Sequence, residues 1–161
     1  MLTETLLAMW MASASAKEHD PDASRWSVGV PVEVDLVGLA AGVHPEILFR
    51  PAAPDGALNL RFATGVMAGP ELTLVPFSVG VRGVIVPRRI VRPYGGLGLQ
   101  MQVFAPYGAP ARARLDVYME LGLDVRIVDS WRIGLQVSPE FGVAPAFGLG
   151  MATRLGFQVD L

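Results

Sequence analysis

The chain has no cysteine, which removes disulfides, thiolate metal ligands and thiol nucleophiles from consideration. Lysine occurs once, at Lys17, and every later basic residue is arginine. Charged residues make up 17% of the 161, below the roughly 25% usual for globular chains. Long apolar runs are missing too. A membrane-spanning helix needs about 20 consecutive apolar residues, yet Glu33, Asp35, Arg61, Arg82, Asp116 and Glu120 interrupt the hydrophobic regions. The net charge of −2 removes the electrostatic case for nucleic-acid binding. What the chain does have is 52% hydrophobic residues and a mean hydropathy of +0.42, which argues against disorder. A hydrophobic chain without spanning helices points to β-structure.

The chain divides into three parts. Residues 1–16 hold a short apolar run, Leu6 to Met11, followed by Ala-Ser-Ala-Ser-Ala. That order is signal-peptide-like, although no basic residue precedes it; a short helical segment is the alternative. Residues 17–24, with Pro21 and several charges, read as a polar linker. From residue 25 to 161 period-two alternation dominates. Trp26, Val28, Val30, Val32, Val34 and Leu36 are apolar on one parity, with Ser27, Gly29, Pro31, Glu33 and Asp35 between them. The longest such stretch sets Leu115, Val117, Met119, Leu121, Leu123 and Val125 against Arg114, Asp116, Tyr118, Glu120, Gly122 and Asp124. Alternation of this kind marks strands with two unlike faces.

Turn signals divide the region into eight expected strands, at 25–37, 43–51, 58–67, 73–86, 91–104, 112–128, 131–138 and 146–161. Strands joined in sequence by short turns form an antiparallel up-and-down meander.

Two barrels satisfy the pattern. In a soluble barrel the apolar face is the core; in a membrane barrel it meets lipid and the polar face fills the interior. Four features favour the membrane form. Arginine replaces lysine, as suits enclosed ion pairs. Acids and bases balance on the polar face: Glu33, Asp35, Glu46, Asp116, Glu120, Asp124, Glu140 and Asp160 stand against Arg50, Arg61, Arg82, Arg112, Arg114, Arg126, Arg132 and Arg154. Glycines such as Gly29, Gly80, Gly98, Gly122, Gly134, Gly148, Gly150 and Gly156 share that face, as a narrow interior filled by long side chains requires. Aromatic residues fall toward two rims, with Trp26, Phe49, Trp131 and Phe157 at one and Phe62, Phe77, Phe104, Phe141 and Phe147 toward the other; aromatic girdles mark membrane interfaces.

On these residues the region 25–161 resembles the small eight-stranded outer-membrane β-barrels of Gram-negative bacteria, of the OmpA/OmpX type. The likeness lies in architecture and in the C-terminus, where Arg154, Gly156, Val159 and Leu161 follow the order of that family's insertion signal. The family usually ends in Phe or Trp, and Leu161 departs from it. The resemblance implies an all-β, eight-stranded transmembrane barrel in the outer membrane. It also implies contact with membrane lipid and lipopolysaccharide, and insertion by the outer-membrane barrel machinery. No cofactor is implied.

Candidate chemistry is sparse. His44 shares a face with Glu46, and Ser138 is a conceivable nucleophile, but no Gly-x-Ser-x-Gly elbow is present. One strand histidine is also too little for a zinc site. The leading expectation is therefore a structural or envelope barrel with a charge-paired, largely plugged interior and no enzymatic activity. The alternatives are a narrow ion or small-solute channel and a soluble lipocalin-like barrel binding an apolar ligand. The outward connections, expected near 38–42, 68–71, 105–111 and 139–145, are short and nearly uncharged, which argues against a large adhesive surface.

Overall fold

The longer strands of the barrel put mainly branched or aromatic side chains on one parity and mainly polar or small ones on the other, and the sheet closes on itself to separate the two sets. The computed structural model describes residues 25–37, 39–51, 57–85, 90–145 and 147–161. The signal-like or helical reading of residues 1–16 and the linker at 17–24 lie outside these. Ten strand segments form one antiparallel sheet: β1 (Trp26–Asp35), β2 (Ala40–Val43), β3 (Glu46–Phe49), β4 (Leu58–Thr64), β5 (Val66–Ala68), β6 (Leu72–Val84), β7 (Val91–Pro106), β8 (Arg112–Val128), β9 (Trp131–Ala144) and β10 (Gly148–Asp160). Segments β2 and β3 form a single stave, as do β4 and β5, so the wall has eight staves. Pairing of β1 with β10, from Ser27↔Asp160 to Asp35↔Ala152, closes it. No strand edge is left unpaired between the first and last staves, the condition for a sheet to stand in lipid.

The two interrupted staves have a local cause. The β1 register is the same on both sides of the break, with Val32↔Val43 above it and Gly29↔Glu46 below. Between them lies Pro45, which cannot donate to the ladder. The His44 amide still donates to the Pro31 carbonyl at 2.9 Å, and the Thr64 amide donates to the Pro45 carbonyl at 3.1 Å. The break is therefore confined to one rung.

Two boundaries differ from the sequence reading by more than two residues. The second stave begins at Ala40 rather than at 43, and β9 runs on to Ala144 rather than stopping at 138. Pro139 and Gly142 look like a turn in sequence. Within β9, however, both pair across to β10, at Met151 and Gly148.

An even number of staves places both termini at one end, with the connections 50–57, 85–90 and 129–130. The other end carries 36–39, 69–71, 107–111 and 145–147. At 107–111 the chain turns through Gly108, whose φ of +79° is open to glycine without strain.

Candidate functional site

The interior of the barrel holds thirteen of the twenty charged residues among those described. In β1 the residues alternate between exposed and buried along its length: Val28, Val30, Val32 and Val34 face out, Ser27, Gly29, Pro31 and Glu33 face in. The same holds in β8, where Met119, Leu121 and Leu123 are exposed while Asp116, Tyr118, Glu120 and Asp124 are buried. The apolar face is thus the outer wall, which is the arrangement of a membrane barrel and the reverse of a lipocalin-like one.

Four groups of polar side chains span the lumen. Nearest the termini, Asp160 accepts from Arg50 at 2.8 Å, from Ser27 at 2.6 Å and from Arg132. Arg50 also reaches Asn59 Oδ1 at 3.2 Å. The second group is a four-membered charge ring. Arg61 Nε lies 2.7 Å from Glu46 Oε2 and 3.8 Å from Glu120 Oε2, while Arg82 Nε lies 2.7 Å from Glu120 Oε1 and its Nη2 3.6 Å from Glu46 Oε2. The aromatic rings complete it. Arg82 stacks over Tyr94 at 4.1 Å, and Arg61 Nη1 donates to Tyr118 Oη and Ser78 Oγ, each at 3.2 Å. In the third group Arg154 grips Glu33 with two parallel bonds of 2.9 and 3.1 Å, and His44 Nδ1 meets the same carboxylate. The fourth lies toward the far end, where Gln100 and Gln102 donate to the two oxygens of Glu140 at 3.1 and 2.7 Å. There Arg114 Nε sits 2.7 Å from Asp116.

Sequence distance plays no part in these contacts: β1 meets β10 in the third group, and β3, β4, β6 and β8 meet in the second. Bidentate arginine suits them because one guanidinium satisfies several acceptors with fixed geometry.

Glycine makes the room. A Cβ on Gly134 would fall 2.7 Å from Asp124 Oδ1, and one on Gly122 would fall 2.3 Å from the Tyr94 ring. Among the described residues a void of about 20 Å³ lies between Glu46, Tyr94, Asp124, Gln136, Arg154 and Gln158, room for one water.

Most of the sixteen charged residues expected inside are buried there, with four exceptions. Arg112 is exposed, because it starts β8 at the rim opposite Phe104, and Arg114 beside it is half-buried. Asp35 and Arg126 are half-buried at opposite ends of the barrel. Asp35 caps its own turn, accepting the Val37 amide at 2.9 Å.

Arg92 was missed by the sequence reading. It is 3% exposed and stands opposite Asp124 across β7 and β8. Its parity, shared with Tyr94, Gln100 and Gln102, was the available signal. Phe104 is a second correction. It points inward rather than to the rim, under Arg114 at 5.0 Å, beside a small apolar cluster of Ala40, Met67 and Leu74.

At the terminus end, Trp26 and Phe49 stack with ring centroids 4.5 Å apart, and Trp131 is half exposed. Phe157 sits deeper, between Val30 and Ile133. In the C-terminal strand Arg154 faces the lumen with Gly156, while Val159 and Leu161 fall on the outer parity. His44 and Ser138 are both fully buried. The first is engaged by Glu33, and Ser138 Oγ accepts from Gln136 at 2.7 Å.

No family model and no curated sequence matches the chain. Solved structures do. The N-terminal β-barrel domain of Pseudomonas aeruginosa OprF superposes with a TM-score of 0.67 at 12% identity, over 83% of this chain and 96% of that one. Neisserial surface protein A follows at 0.60 and 12%, over 84% and 94%. Ail, the attachment invasion locus protein of Yersinia pestis, gives 0.54 at 14%, over 86% and 97%. The chain therefore shares the closed eight-stranded fold of outer-membrane barrels.

Proposed function

We propose that this barrel resides in the outer membrane of a Gram-negative bacterium and serves a structural role in the envelope, with a lumen closed by its own side chains. The observation that carries the reading is the ring of Glu46, Arg61, Arg82 and Glu120, whose members reach from four different staves into the same cross-section. Such a ring leaves each charge compensated and occupies the space an ion would need. Eight staves leave an interior just wide enough for side chains. On this reading the outer wall contacts membrane lipid and lipopolysaccharide. Trp26, Phe49 and Trp131 anchor the terminus end in the headgroup region, with Phe157 deeper in the lipid-facing wall. The outer-membrane barrel insertion machinery engages the last strand through Arg154, Gly156, Val159 and Leu161.

The test is conductance across a planar lipid bilayer by the purified barrel, its folding first verified by heat-dependent mobility on a gel. A closed lumen gives no discrete current steps. Reproducible steps from the unaltered protein would instead establish the channel reading.

A further inference from the structure

The connections at the two ends of the barrel differ in chemistry. By sequence those at the terminus end carry Asp55, Arg88, Arg89 and Asp129, whereas those at the opposite end carry one charged residue, Glu71, with Arg112 exposed at the adjoining rim. The sparsely charged end is also apolar and exposed. Leu36, Val37, Leu39, Tyr107 and Phe147 all stand out from it, with Leu39 73% and Phe147 77% exposed. Leu39 does so at φ 52°, a left-handed conformation that a branched apolar residue adopts only against steric resistance. A polar turn residue or glycine would relieve that resistance. A leucine held there presents its side chain outward at a conformational penalty.

These tips continue the outer wall of β10 without a charged break. On β10 the outward parity reads Phe147, Leu149, Met151, Thr153, Leu155, Phe157, Val159 and Leu161. At a rise of about 3.3 Å per residue and a tilt near 40°, that face is roughly 35 Å tall, against about 25 Å for the apolar band of an ordinary outer-membrane barrel. The excess has to lie beyond one boundary of that band, and Arg25 and Asp129, exposed at the terminus end, hold that end in water.

Resting on the membrane reading above, we propose that the loop end is a lipid-contacting surface: Leu36, Val37, Leu39, Tyr107 and Phe147 lie within the outer lipid layer rather than in the aqueous phase. The occupant is lipid because the tips are continuous with the lipid-facing wall and bear almost no charge to recognise a polar partner.

The absence of cysteine makes the test direct, since any introduced thiol is unique. The full chain is prepared as Leu39→Cys, Phe147→Cys, Leu121→Cys and Asp129→Cys, each labelled with an environment-sensitive fluorophore. Each is refolded into phosphatidylcholine vesicles with or without lipid-borne quenchers, folding being verified by gel mobility. Labels at 39 and 147 should emit in the blue and lose intensity to quenchers near the headgroups, as the mid-wall label at 121 does to deep ones. The label at 129 should do neither. If 121 is quenched while 39 and 147 stay red-shifted and unquenched, the tips are in water and the inference is wrong. Blue emission at 39 and 147 without lipid quenching would mean a protein contact, such as a second copy, and would overturn it equally. Failure of 121 to be quenched would remove the membrane reading itself.

Discussion

Arg82 and Glu120, 38 positions apart in sequence, meet inside the barrel with Nε 2.7 Å from Oε1, and each is 1% exposed. The pair joins β6 to β8 over the intervening β7, where Gly96 stands directly opposite both Arg82 and Glu120. A Cβ at Gly96 would come within 2.7 Å of the Glu120 carboxylate, so the empty position on β7 is what lets the two side chains touch. Arg82 is shared with Glu46 and Gln136, which ties the pair to the rest of the interior.

Removing both partners of that pair should therefore destabilise the barrel by less than the sum of the two single removals. Arg82→Met takes from Glu120 its close guanidinium partner and leaves Arg61 as the one arginine of the ring against two enclosed carboxylates, a change expected to cost about 3–5 kcal/mol. Glu120→Met should be comparably harmful. The double variant should lose less than the sum of the two, by about 0.5–3 kcal/mol of coupling. Denaturant unfolding of barrels refolded in lipid measures all three. Strict additivity would mean that the two residues do not act on each other.

The outer wall makes the opposite demand. Leu121, 64% exposed on β8, should tolerate no charge if lipid covers it: Leu121→Arg is expected to cost about 2–4 kcal/mol near the membrane midplane. On a water-facing wall the same change would fall within about 0.5 kcal/mol of zero. Unfolding in vesicles separates the two, with Ser130→Arg in the terminal turn as the substitution that should leave stability unchanged.

Much of this arrangement is readable in the sequence, because the side-chain period of a strand assigns each residue to a face without reference to its neighbours. That is how Asp116, Glu120 and Asp124 in β8 are assigned to one face by parity alone, while the arginine, charge-balance, glycine and aromatic patterns make that face the inner one. Pairing is different in kind. Nothing local ties Arg154 to Glu33 or Arg50 to Asp160; those contacts exist only because β10 closes onto β1 in one register. Parity also fails near strand ends. Arg112 has the inward parity of β8 but sits at the rim, where the barrel no longer encloses it. Phe104, an apolar residue on the inward parity of β7, is hidden from a reading that equates apolar with outward. The length of β9 was obscured by Pro139 and Gly142, turn formers that here occupy ladder positions within a strand. The inner cluster of Ala40, Met67 and Leu74 belongs to three different staves and leaves no mark on any one of them.

The terminal residue offers a test of how the barrel is assembled. If the insertion machinery reads the last strand, Leu161→Phe should raise the fraction of chain that reaches the folded, heat-shifted form in cells. Leu161 is exposed, so its replacement disturbs no interior packing. Refolding of the purified variant into vesicles, where no machinery is present, should then match the unaltered chain. Equal yields in cells would remove the signal role from this position.

Closure of the wall depends on Gly156. It faces Pro31 across the seam between β10 and β1, and a Cβ there would fall 2.3 Å from Pro31 Cα and 2.8 Å from Pro31 N. Those are backbone atoms of a residue whose φ is locked by its ring, so the clash cannot be relieved by turning a side chain. Gly156→Ala should therefore prevent or strongly weaken closure of the seam, seen as loss of the compact band on an unboiled gel. Gly95→Ala is the matched comparison, since its nearest contact is Leu121 Cδ2 at 3.5 Å, ordinary packing distance, and it should fold like the unaltered chain. Because Gly156 also belongs to the proposed insertion signal, the decisive experiment is refolding into vesicles without the machinery. A steric defect persists there, whereas a recognition defect disappears. Normal refolding of Gly156→Ala would show that the seam can widen to admit a methyl group and that the glycine is kept for recognition alone.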